Sequence, residues 1–275
     1  MENLKTLLYS HGINLKKAYG QNFLTDQTLL EDIVNQSGID KDTTVLEIGP
    51  GAGALTGELC KKAKKVIAYE IDQRLKPLLA QTVGGYSNLE IVFKDVMKEK
   101  LNVLEQKLGD NYVLVANLPY YITTPIVMNF LENSKKLNSL VIMVQKEVAE
   151  RFCAPPKTTD YGAITVAINL RGKAKIIKQV PREMFTPAPN VDSAVVKIDI
   201  DRNKLESVDL DKVREVVKIA FSSRRKMLVN NLMNAYKLAR TDAETLLINS
   251  NVSLTARAEE LTSEQYITLS ENLKK

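Results

Sequence analysis

The chain has 275 residues, of which 44% are hydrophobic and 26% are charged, and its net charge at pH 7 is +5. This length suits one large domain with a smaller one, and the lack of any run of roughly 18 apolar residues argues against a membrane span. The single histidine, His11, argues against a histidine-based triad or a zinc site, so we expect no metal centre and look to amides, carboxylates, aromatic side chains and a cofactor.

The N-terminus lacks the signals of an exported protein. Residues 1–17 have no long apolar core followed by a small-residue cleavage site, which is the pattern of a signal peptide. The two cysteines, Cys60 and Cys153, lie in different segments and lack the spacing of metal ligands. Together these features predict a cytoplasmic protein with reduced thiols. The positive net charge is compatible with an anionic partner.

Short β-rich runs alternate with helical patterns from Thr43 onward. The first predicted strands are Val45–Ile48, Lys65–Tyr69, Leu89–Phe93, Val113–Ala116 and Leu140–Val144. Helical patterns at Ala54–Lys62 and Gln73–Thr82 separate the first three strands. Such alternation predicts an α/β fold, in which a mostly parallel, Rossmann-like sheet carries helices on both faces. Two later β-rich runs, Ile164–Leu170 and Ala194–Ile200, have no helical pattern between them, so we expect them to pair antiparallel.

The strand signals stop after the last of these runs. Asp201–Asp209 is charged and polar, as a linker would be, and Asp211–Lys275 is typical of several short helices. We therefore predict a catalytic, cofactor-binding domain over residues 1–201 and a small all-α domain over residues 202–275. The second domain carries no catalytic motif of its own, which leaves substrate docking as its natural task.

Three glycines follow the first predicted strand, at Gly49, Gly51 and Gly53. Glycine lets the backbone approach a ligand closely and turn sharply into a helix. Glu70 ends the second strand and Asp95 follows the third, so both carboxylates lie at strand ends beside this loop, where open α/β sheets bind ligands. Glu70 is placed to accept hydrogen bonds from both ribose hydroxyls of a nucleoside, and Asp95 to accept one from an adenine amino group.

Two adenosine-containing cofactors, NAD and S-adenosyl-L-methionine, fit such a crevice. S-adenosylmethionine carries a cationic sulfonium, which tolerates acidic surroundings, and Glu47 lies just ahead of the glycine loop. An NAD dehydrogenase would also need an acid for hydride chemistry, and we identify none in a suitable place. The sequence therefore favours S-adenosylmethionine, and the structural alternative is a tight strand-to-helix turn that binds nothing.

The fourth strand ends in Asn117-Leu118-Pro119-Tyr120. The exocyclic amine of an aromatic base is a poor nucleophile because its lone pair is delocalised into the ring. The Asn117 side-chain oxygen and the Leu118 carbonyl can accept its N–H groups and favour a more tetrahedral nitrogen. Pro119 stiffens the turn and biases Leu118 to an extended conformation. Tyr120 offers a face for base stacking, which is worth about 1–3 kcal/mol per base.

These motifs resemble the ribosomal RNA adenine N6-dimethyltransferases, specifically the small-subunit KsgA/RsmA family, over nearly the whole chain. The segments that carry the resemblance are Gly20–Leu24, Glu47–Gly53, Glu70, Asp95, Asn117–Tyr120, Pro181–Ser193 and Phe221–Lys226. The resemblance implies that S-adenosylmethionine is held by Asn22, Leu24, Gly49, Gly51, Glu70, Asp95 and Asn117. It also implies that Phe185 stacks on the face of the target adenine opposite Tyr120. From the residues alone, Phe185 could equally be a hydrophobic plug.

The family's substrate is a pair of adjacent adenosines near the 3′ end of the 16S rRNA in the small ribosomal subunit, each methylated twice. The resemblance also implies a monomer with a part in small-subunit biogenesis. The cluster Arg224-Arg225-Lys226 is expected to bind RNA, with Ser222 or Ser223 capping a helix that starts there. Three consecutive cations cannot share one helical side, so we expect one or two to point to RNA and another to pair within the protein.

Two other functions stay open at this point. The erythromycin-resistance methyltransferases share the architecture but modify the 23S rRNA of the large subunit, and they typically have Ile where this chain has Leu118. The second open function is that of a ribosome assembly factor, which binds RNA without methylating it. Such a protein would not need the polar site residues. The chain also departs from the family at Tyr121 and at Thr123-Thr124, where Asn and Ser-Thr are common, so any contact there is open.

Overall fold

The computed structural model describes residues 22–24, 26–202 and 208–273. His11, Gly20 and Gln21 lie outside the described residues, and so does the N-terminal segment on which the expectation of no signal peptide rests. The described part of the chain forms two compact units. Unit 1 consists of the described residues of Met1–Ala149 and Lys175–Ile200, and unit 2 of those of Glu150–Ala174 and Asp201–Lys275.

Nine strands lie within the described residues. They are β1 (Phe23–Leu24), β2 (Thr44–Ile48), β3 (Lys65–Tyr69), β4 (Leu89–Val92), β5 (Tyr112–Asn117), β6 (Leu137–Gln145), β7 (Gly172–Val180), β8 (Phe185–Thr186) and β9 (Ser193–Ile200). Strands β1 and β8 form an antiparallel ribbon, and the other seven form one sheet in the order β4-β3-β2-β5-β6-β9-β7. Strands β2 to β6 pair in parallel and β9 runs antiparallel to β6, so the predicted Rossmann-like α/β fold is confirmed.

Eleven α-helices occur in the same described ranges. They are α1 (Gln27–Ser37), α2 (Ala54–Lys62), α3 (Lys76–Thr82), α4 (Leu101–Leu108), α5 (Tyr120–Asn133), α6 (Lys146–Phe152), α7 (Ala163–Arg171), α8 (Leu210–Ala220), α9 (Leu228–Tyr236), α10 (Arg240–Asn249) and α11 (Ser263–Asn272). The last four confirm the predicted all-α C-terminal region. None of the described helices is long and apolar enough to cross a membrane.

The central strands are buried on both faces, which explains their nearly continuous apolar sequences. Val113 and Val115 pack in one hydrophobic cluster with Leu59 of α2, while Leu114 between them points to the opposite face and is also fully buried. In β2, Ile48 lies opposite Tyr69 of β3 and Ala116 of β5. The residues that follow these three strand ends therefore emerge together at one edge of the sheet.

The predicted strand Ile164–Leu170 is wrong, because this segment forms helix α7. Its β-branched residues favour a strand locally, but Val166 and Leu170 are four positions apart and both lie in the hydrophobic cluster of unit 2 with Val213 of α8. Burial of this helical face outweighs the local propensity. The other late run, Ala194–Ile200, lies in β9, which pairs antiparallel with β6 and has β7 as its other neighbour in the sheet. Strand β7 was not predicted.

The domain division also differs from the sequence-based one in a single segment. The boundary near residue 201 separates the units, but Glu150–Ala174 belongs to unit 2 rather than to the predicted domain over residues 1–201. Ala154 and Tyr161 show the reason, since both are buried in the same cluster as Tyr266 of α11. The C-terminal helices thus share their core with a segment inserted between β6 and β7.

Candidate active site

A cavity of about 1040 Å³ opens at the sheet edge where strands β2 to β5 end, within unit 1. The glycine loop, the ends of β3 and β5, the ribbon β1–β8 and the start of α5 form its wall. The structure brings together here all of the predicted cofactor and base-contacting residues, which are Asn22, Leu24, Gly49, Gly51, Glu70, Asp95, Asn117, Leu118, Tyr120 and Phe185. One site can therefore hold a nucleoside-containing ligand and an aromatic base.

The glycine loop packs tightly against its neighbours. Gly49 has a φ of +77°, and a Cβ there would lie 3.2 Å from the Leu118 side chain and 3.5 Å from the Asn117 carbonyl oxygen. Gly51 has a φ of +58°, and a Cβ there would lie 3.0 Å from the Phe23 ring. Positive φ and close contact both favour glycine at these positions. The loop is therefore held between the Asn117–Tyr120 turn on one side and β1 on the other.

Glu70 directly follows β3 and is only 4% exposed. Its Oε2 accepts a hydrogen bond from the Gly51 N–H at 3.2 Å, and its Oε1 accepts one from the Asp72 N–H at 2.8 Å. Burial raises the pKa of the Glu70 carboxyl above its usual range, and these backbone donors oppose that rise. The carboxylate thus sits at the junction of the glycine loop and β3, where it can also accept from hydroxyl groups of a ligand.

Asp95 begins a short 3-10 turn after β4. Its Oδ1 accepts a hydrogen bond from the Met97 N–H at 3.0 Å, which fixes the carboxylate as the cap of that turn. A carboxylate has two oxygens, and the second can accept from an amino group in the cavity that Asp95 lines. Recognition of an adenine amino group by Asp95 stays a prediction.

Glu47 differs from its expected position beside a cationic ligand. It lies within β2, is 1% exposed, and is not among the residues that line the cavity. Burial, with a smaller contribution from the Glu70 carboxylate, raises the pKa of Glu47 to about 8. The nearby Thr56 hydroxyl partly offsets this rise, although neither Glu47 Oε2 nor Thr56 Oγ1 meets the geometry of a hydrogen bond. Glu47 is therefore a buried acid that is largely protonated at neutral pH.

The Asn117-Leu118-Pro119-Tyr120 turn connects β5 to α5. Asn117 is the last residue of β5 and pairs with Met143 of β6, so the sheet fixes its backbone. Pro119 is the N-cap residue of α5, and its carbonyl oxygen accepts from the Thr123 hydroxyl at 3.3 Å. Thr123 is 3% exposed, so this departure from the family's usual residue faces inward and supports the turn, whereas Tyr121 is 69% exposed and lies at the rim of the cavity.

The two aromatic residues that were predicted to stack on a base both line the cavity. Tyr120 is half-buried, and its hydroxyl lies 2.9 Å from the Ser193 hydroxyl oxygen. Phe185 lies in β8 opposite Leu24 of β1 and is 4% exposed within a hydrophobic cluster. Phe185 therefore closes the core as a plug and also presents part of its ring to the cavity. Ser193 was not among the predicted site residues, although Ser193 is the last residue of Pro181–Ser193, one of the segments that carry the family resemblance.

The basic cluster of unit 2 is not the start of a helix. Arg224-Arg225-Lys226 forms a turn, and α9 begins only at Leu228 with Met227 as its N-cap residue, so the expected Ser222 or Ser223 cap is wrong. The turn separates α8 from α9, so no helix starts at the basic cluster. The Ser222 hydroxyl does not cap a helix but donates to the Ile219 carbonyl oxygen at 2.6 Å.

The three cations of this turn differ in their surroundings. The Arg224 guanidinium donates to the carbonyl oxygens of Thr159 and Tyr161, at 2.8 and 3.0 Å. All three residues are exposed. Arg224 therefore ties two segments of unit 2 together from an exposed position, and Arg225 and Lys226 face solvent beside it.

The sheet, the glycine loop and the Asn-Leu-Pro-Tyr turn define a Rossmann-like methyltransferase. A family model described as ribosomal RNA adenine dimethylase matches residues 12–275. The chain is 42% identical, over 98% of its length and 95% of the relative's, to the protein named ribosomal RNA small subunit methyltransferase A from Bacillus licheniformis. The chain belongs to the ribosomal RNA adenine dimethylase family.

Two solved structures support this assignment. A dimethyladenosine transferase from Plasmodium falciparum has a TM-score of 0.76 and 26% identity, covering 90% of this chain and 95% of that one. The 23S rRNA methyltransferase ErmE has a TM-score of 0.71 and 29% identity, covering 92% of this chain and 99% of that one. A protein named as a 23S rRNA methyltransferase thus shares this fold with relatives named for the small subunit, so fold alone does not select the substrate.

The buried Glu47 gives a pH-dependent stability that can be measured. Its pKa is raised from an unfolded value near 4.5 to about 8. Between these values the native state binds the proton more tightly, so the free energy of unfolding falls as pH rises and the loss is complete above about pH 8. We expect Glu47→Gln to match the parent near pH 5 and to be more stable at pH 9 by roughly 2–5 kcal/mol.

Urea denaturation of the two proteins at both pH values tests this expectation. Glu90→Gln is the matched control, because Glu90 lies on the same sheet but is exposed, and this variant should follow the parent at every pH. Parallel pH profiles for the parent and Glu47→Gln would show that the Glu47 carboxyl titrates normally.

Proposed function

We propose that the chain transfers methyl groups from S-adenosylmethionine to N6 of two adjacent adenosines near the 3′ end of 16S rRNA. The observation that carries this proposal is the meeting of the glycine loop, Glu70 and the Asn117–Tyr120 turn in one cavity. A cofactor held by the loop and a base held by the turn would then face each other without any movement of the sheet. The names of the curated relatives support the small subunit as the substrate.

The residues present fit S-adenosylmethionine. Gly49 and Gly51 form a cradle that any Cβ would fill, and Glu70 and Asp95 place carboxylates for a ribose and an adenine amino group. Asn22 and Leu24 complete the cofactor side of the cavity. When bound, the cofactor supplies an electrophilic methyl group on a sulfonium. Glu58, Glu70 and Asp95 line the cavity together with Lys61 and Lys94, so charge does not select the ligand, and the choice of S-adenosylmethionine is supported by the family.

Asn117 and Leu118 prepare the nucleophile. The Asn117 amide oxygen and the Leu118 carbonyl accept the N–H groups of the adenine amine, which favours a more tetrahedral nitrogen whose lone pair is less delocalised into the ring. Since Asn117 is anchored in β5 and Pro119 restrains the turn, these acceptors are held in place before the base arrives. The methylated amine is acidic and loses its proton to water, so no strong general base is needed.

Tyr120 and Phe185 hold the base, one on each face. Both rings line the cavity, and both belong to rigid parts of unit 1, the first turn of α5 and the β1–β8 ribbon. Stacking fixes the plane of the adenine while leaving its N6 edge free to reach Asn117. Phe185 belongs both to the core and to the cavity wall, so core packing holds its ring in place for stacking on the base.

Unit 2 supplies RNA contacts through Arg225 and Lys226. Both are exposed, and exposed cations neutralise phosphate charges and release counterions. Arg224 is exposed as well, but its guanidinium donates to the carbonyl oxygens of Thr159 and Tyr161. RNA docking through exposed charges would then take place on unit 2, and methyl transfer by buried polar groups would take place in unit 1. Each unit has its own core.

Methylation of 23S rRNA is the competing function, favoured by the likeness to ErmE. Leu118 and the names of the relatives favour the small subunit. Transfer of labelled methyl groups to small subunits that lack the modification, with large subunits as a parallel substrate, decides between them. A chain that binds small subunits but transfers no label would instead be an assembly factor.

Removal of the Glu70 carboxylate should weaken cofactor binding. Glu70→Ala deletes a charged acceptor, and hydrogen bonds to such groups are worth roughly 1.5–3 kcal/mol. We therefore expect about a 10- to 100-fold loss of affinity for S-adenosylmethionine in titration calorimetry. Asp110→Ala, which removes an exposed carboxylate far from the cavity lining, is the control. Equal affinities of the parent and Glu70→Ala would remove Glu70 from the cofactor site.

Asn117→Ala should slow the chemical step while leaving RNA binding nearly intact. By analogy with the loss of one hydrogen-bonding group that acts on the transition state, we expect about a 100-fold lower single-turnover rate at saturating small subunits. Asn133→Ala, on an exposed position of α5, should keep the parent rate. If Asn117→Ala also keeps it, Asn117 is only a turn residue.

Arg225→Ala and Lys226→Ala should each weaken binding to small subunits and lower the salt slope of log K by about 0.7–0.9. Binding is measured across a salt series. Lys218→Ala removes an exposed charge from α8 and controls for net charge. Arg224→Ala should lower the stability of unit 2 while keeping the slope closer to that of the parent. Slopes equal to the parent's for both Arg225→Ala and Lys226→Ala would place the RNA contact elsewhere.

A further inference from the structure

Two hydroxyl groups from distant parts of the chain meet beside the cavity. The Tyr120 hydroxyl lies 2.9 Å from Ser193 Oγ, and either atom can be the donor. Ser193 is 1% exposed and begins β9, whereas Tyr120 is half-buried in the first turn of α5. A buried hydroxyl without a partner is costly, so this bond is held firmly once formed.

The bond restrains a degree of freedom that the backbone leaves open. Helix α5 fixes the Cα of Tyr120, but the direction and tilt of its ring depend on two side-chain torsions. A stacking platform works only if its plane matches that of the base. An anchor at the far end of the ring fixes the direction of the ring, and it also favours one tilt because a phenolic hydroxyl makes its hydrogen bonds close to the ring plane.

The anchor belongs to the same rigid frame as the reactive turn. Asn117 pairs with Met143 of β6, and Met143 pairs with Val195 of β9, two residues after Ser193. Ser193 itself lies opposite Gln145 of β6. Three adjacent hydrogen-bonded strands therefore fix the distance between the Asn117 amide and the point at which the Tyr120 ring is held.

We infer that Ser193 is a positioning residue for methyl transfer: it holds the Tyr120 ring in the orientation at which the target adenine stacks with its N6 at Asn117. This inference rests on the proposed function. Ser193 does not line the cavity and touches neither base nor cofactor, so it acts only through Tyr120. Its loss should therefore lower the rate with bound RNA rather than the affinity for RNA, which phosphate contacts dominate.

A double-mutant cycle tests this role. Ser193→Ala and Tyr120→Phe each remove one hydroxyl of the pair, and we expect each to lower the single-turnover rate on saturating small subunits about tenfold. The double variant should be no slower than either single one, because the bond is lost only once. Affinities for small subunits and for S-adenosylmethionine should stay within about threefold of the parent. Ser193→Thr keeps a hydroxyl and should recover part of the rate.

A second tyrosine–serine pair in unit 1 provides the control. The Tyr112 hydroxyl lies 3.0 Å from Ser134 Oγ in a buried site, and neither residue lines the cavity. Ser134→Ala should lower the melting temperature while leaving the methyl-transfer rate unchanged. Rate losses in Ser193→Ala and Ser134→Ala that both follow their melting temperatures would overturn the positioning role, and so would losses that add fully in the double variant.

A fluorescent base separates this inference from the proposed function. If the parent transfers no methyl group to small subunits, the proposed function fails by itself. Quenching of 2-aminopurine, placed at a target adenosine in a short RNA, then reports stacking on Tyr120 without any chemistry. Quenching that the parent shows, and that Ser193→Ala and Tyr120→Phe both lose, supports the inference. Equal quenching in all three proteins, or none in the parent, overturns it.

Discussion

The close approach of Gly49 to Leu118 is the contact on which the rest of the site depends. A Cβ at Gly49 would lie 3.2 Å from the Leu118 side chain, so any other residue would push Leu118 aside by a few tenths of an ångström and would be strained by the φ of +77°. The parallel register of β2 with β5 brings the two segments to the same edge. Cofactor and base are then neighbours as a consequence of backbone packing, before any side chain contributes.

Around this contact the structure combines rigid apolar support with buried polar groups. Glu70 and Glu47 both have raised pKa values because they are buried, and only Glu70 lines the cavity. Burying carboxyl groups lowers stability, and a cationic ligand would reverse part of that effect on binding. A buried carboxyl group at the junction of the glycine loop and β3 is thus better suited to a ligand site than to an empty turn, which supports a functional role for the loop.

The aromatic part of the site shows how a surface-facing ring can be made rigid. Phe185 is held by the β1–β8 pairing and by its own burial in the core. Tyr120 is less buried, and a hydroxyl pair with Ser193 takes the place of packing. Two different restraints thus serve two rings that are proposed to hold the same base. In unit 2, Arg224 also has a structural role, because its guanidinium joins two segments of the protein although it belongs to a basic cluster.

Local patterns in the sequence were enough to predict the strands at the centre of the sheet, the glycine loop, and the placement of Glu70, Asp95 and Asn117 at neighbouring strand ends. These features depend on continuous apolar runs and on residues close together in the chain. The all-α C-terminal region followed from helical patterns in the same way. The predicted cofactor and base-contacting residues line one cavity, and those that follow strands do so because parallel strands bring their carboxyl ends to one edge.

Tertiary structure decided what local patterns could not. Ile164–Leu170 has a strand-like composition, but its burial with the helices of unit 2 makes it helical. Strand β7 was not predicted because lysines interrupt its apolar residues. The pairing of Ser193 with Tyr120, and of Arg224 with carbonyl oxygens, joins residues more than 60 positions apart. Such contacts arise only when the whole chain packs, because no short stretch of sequence contains both partners.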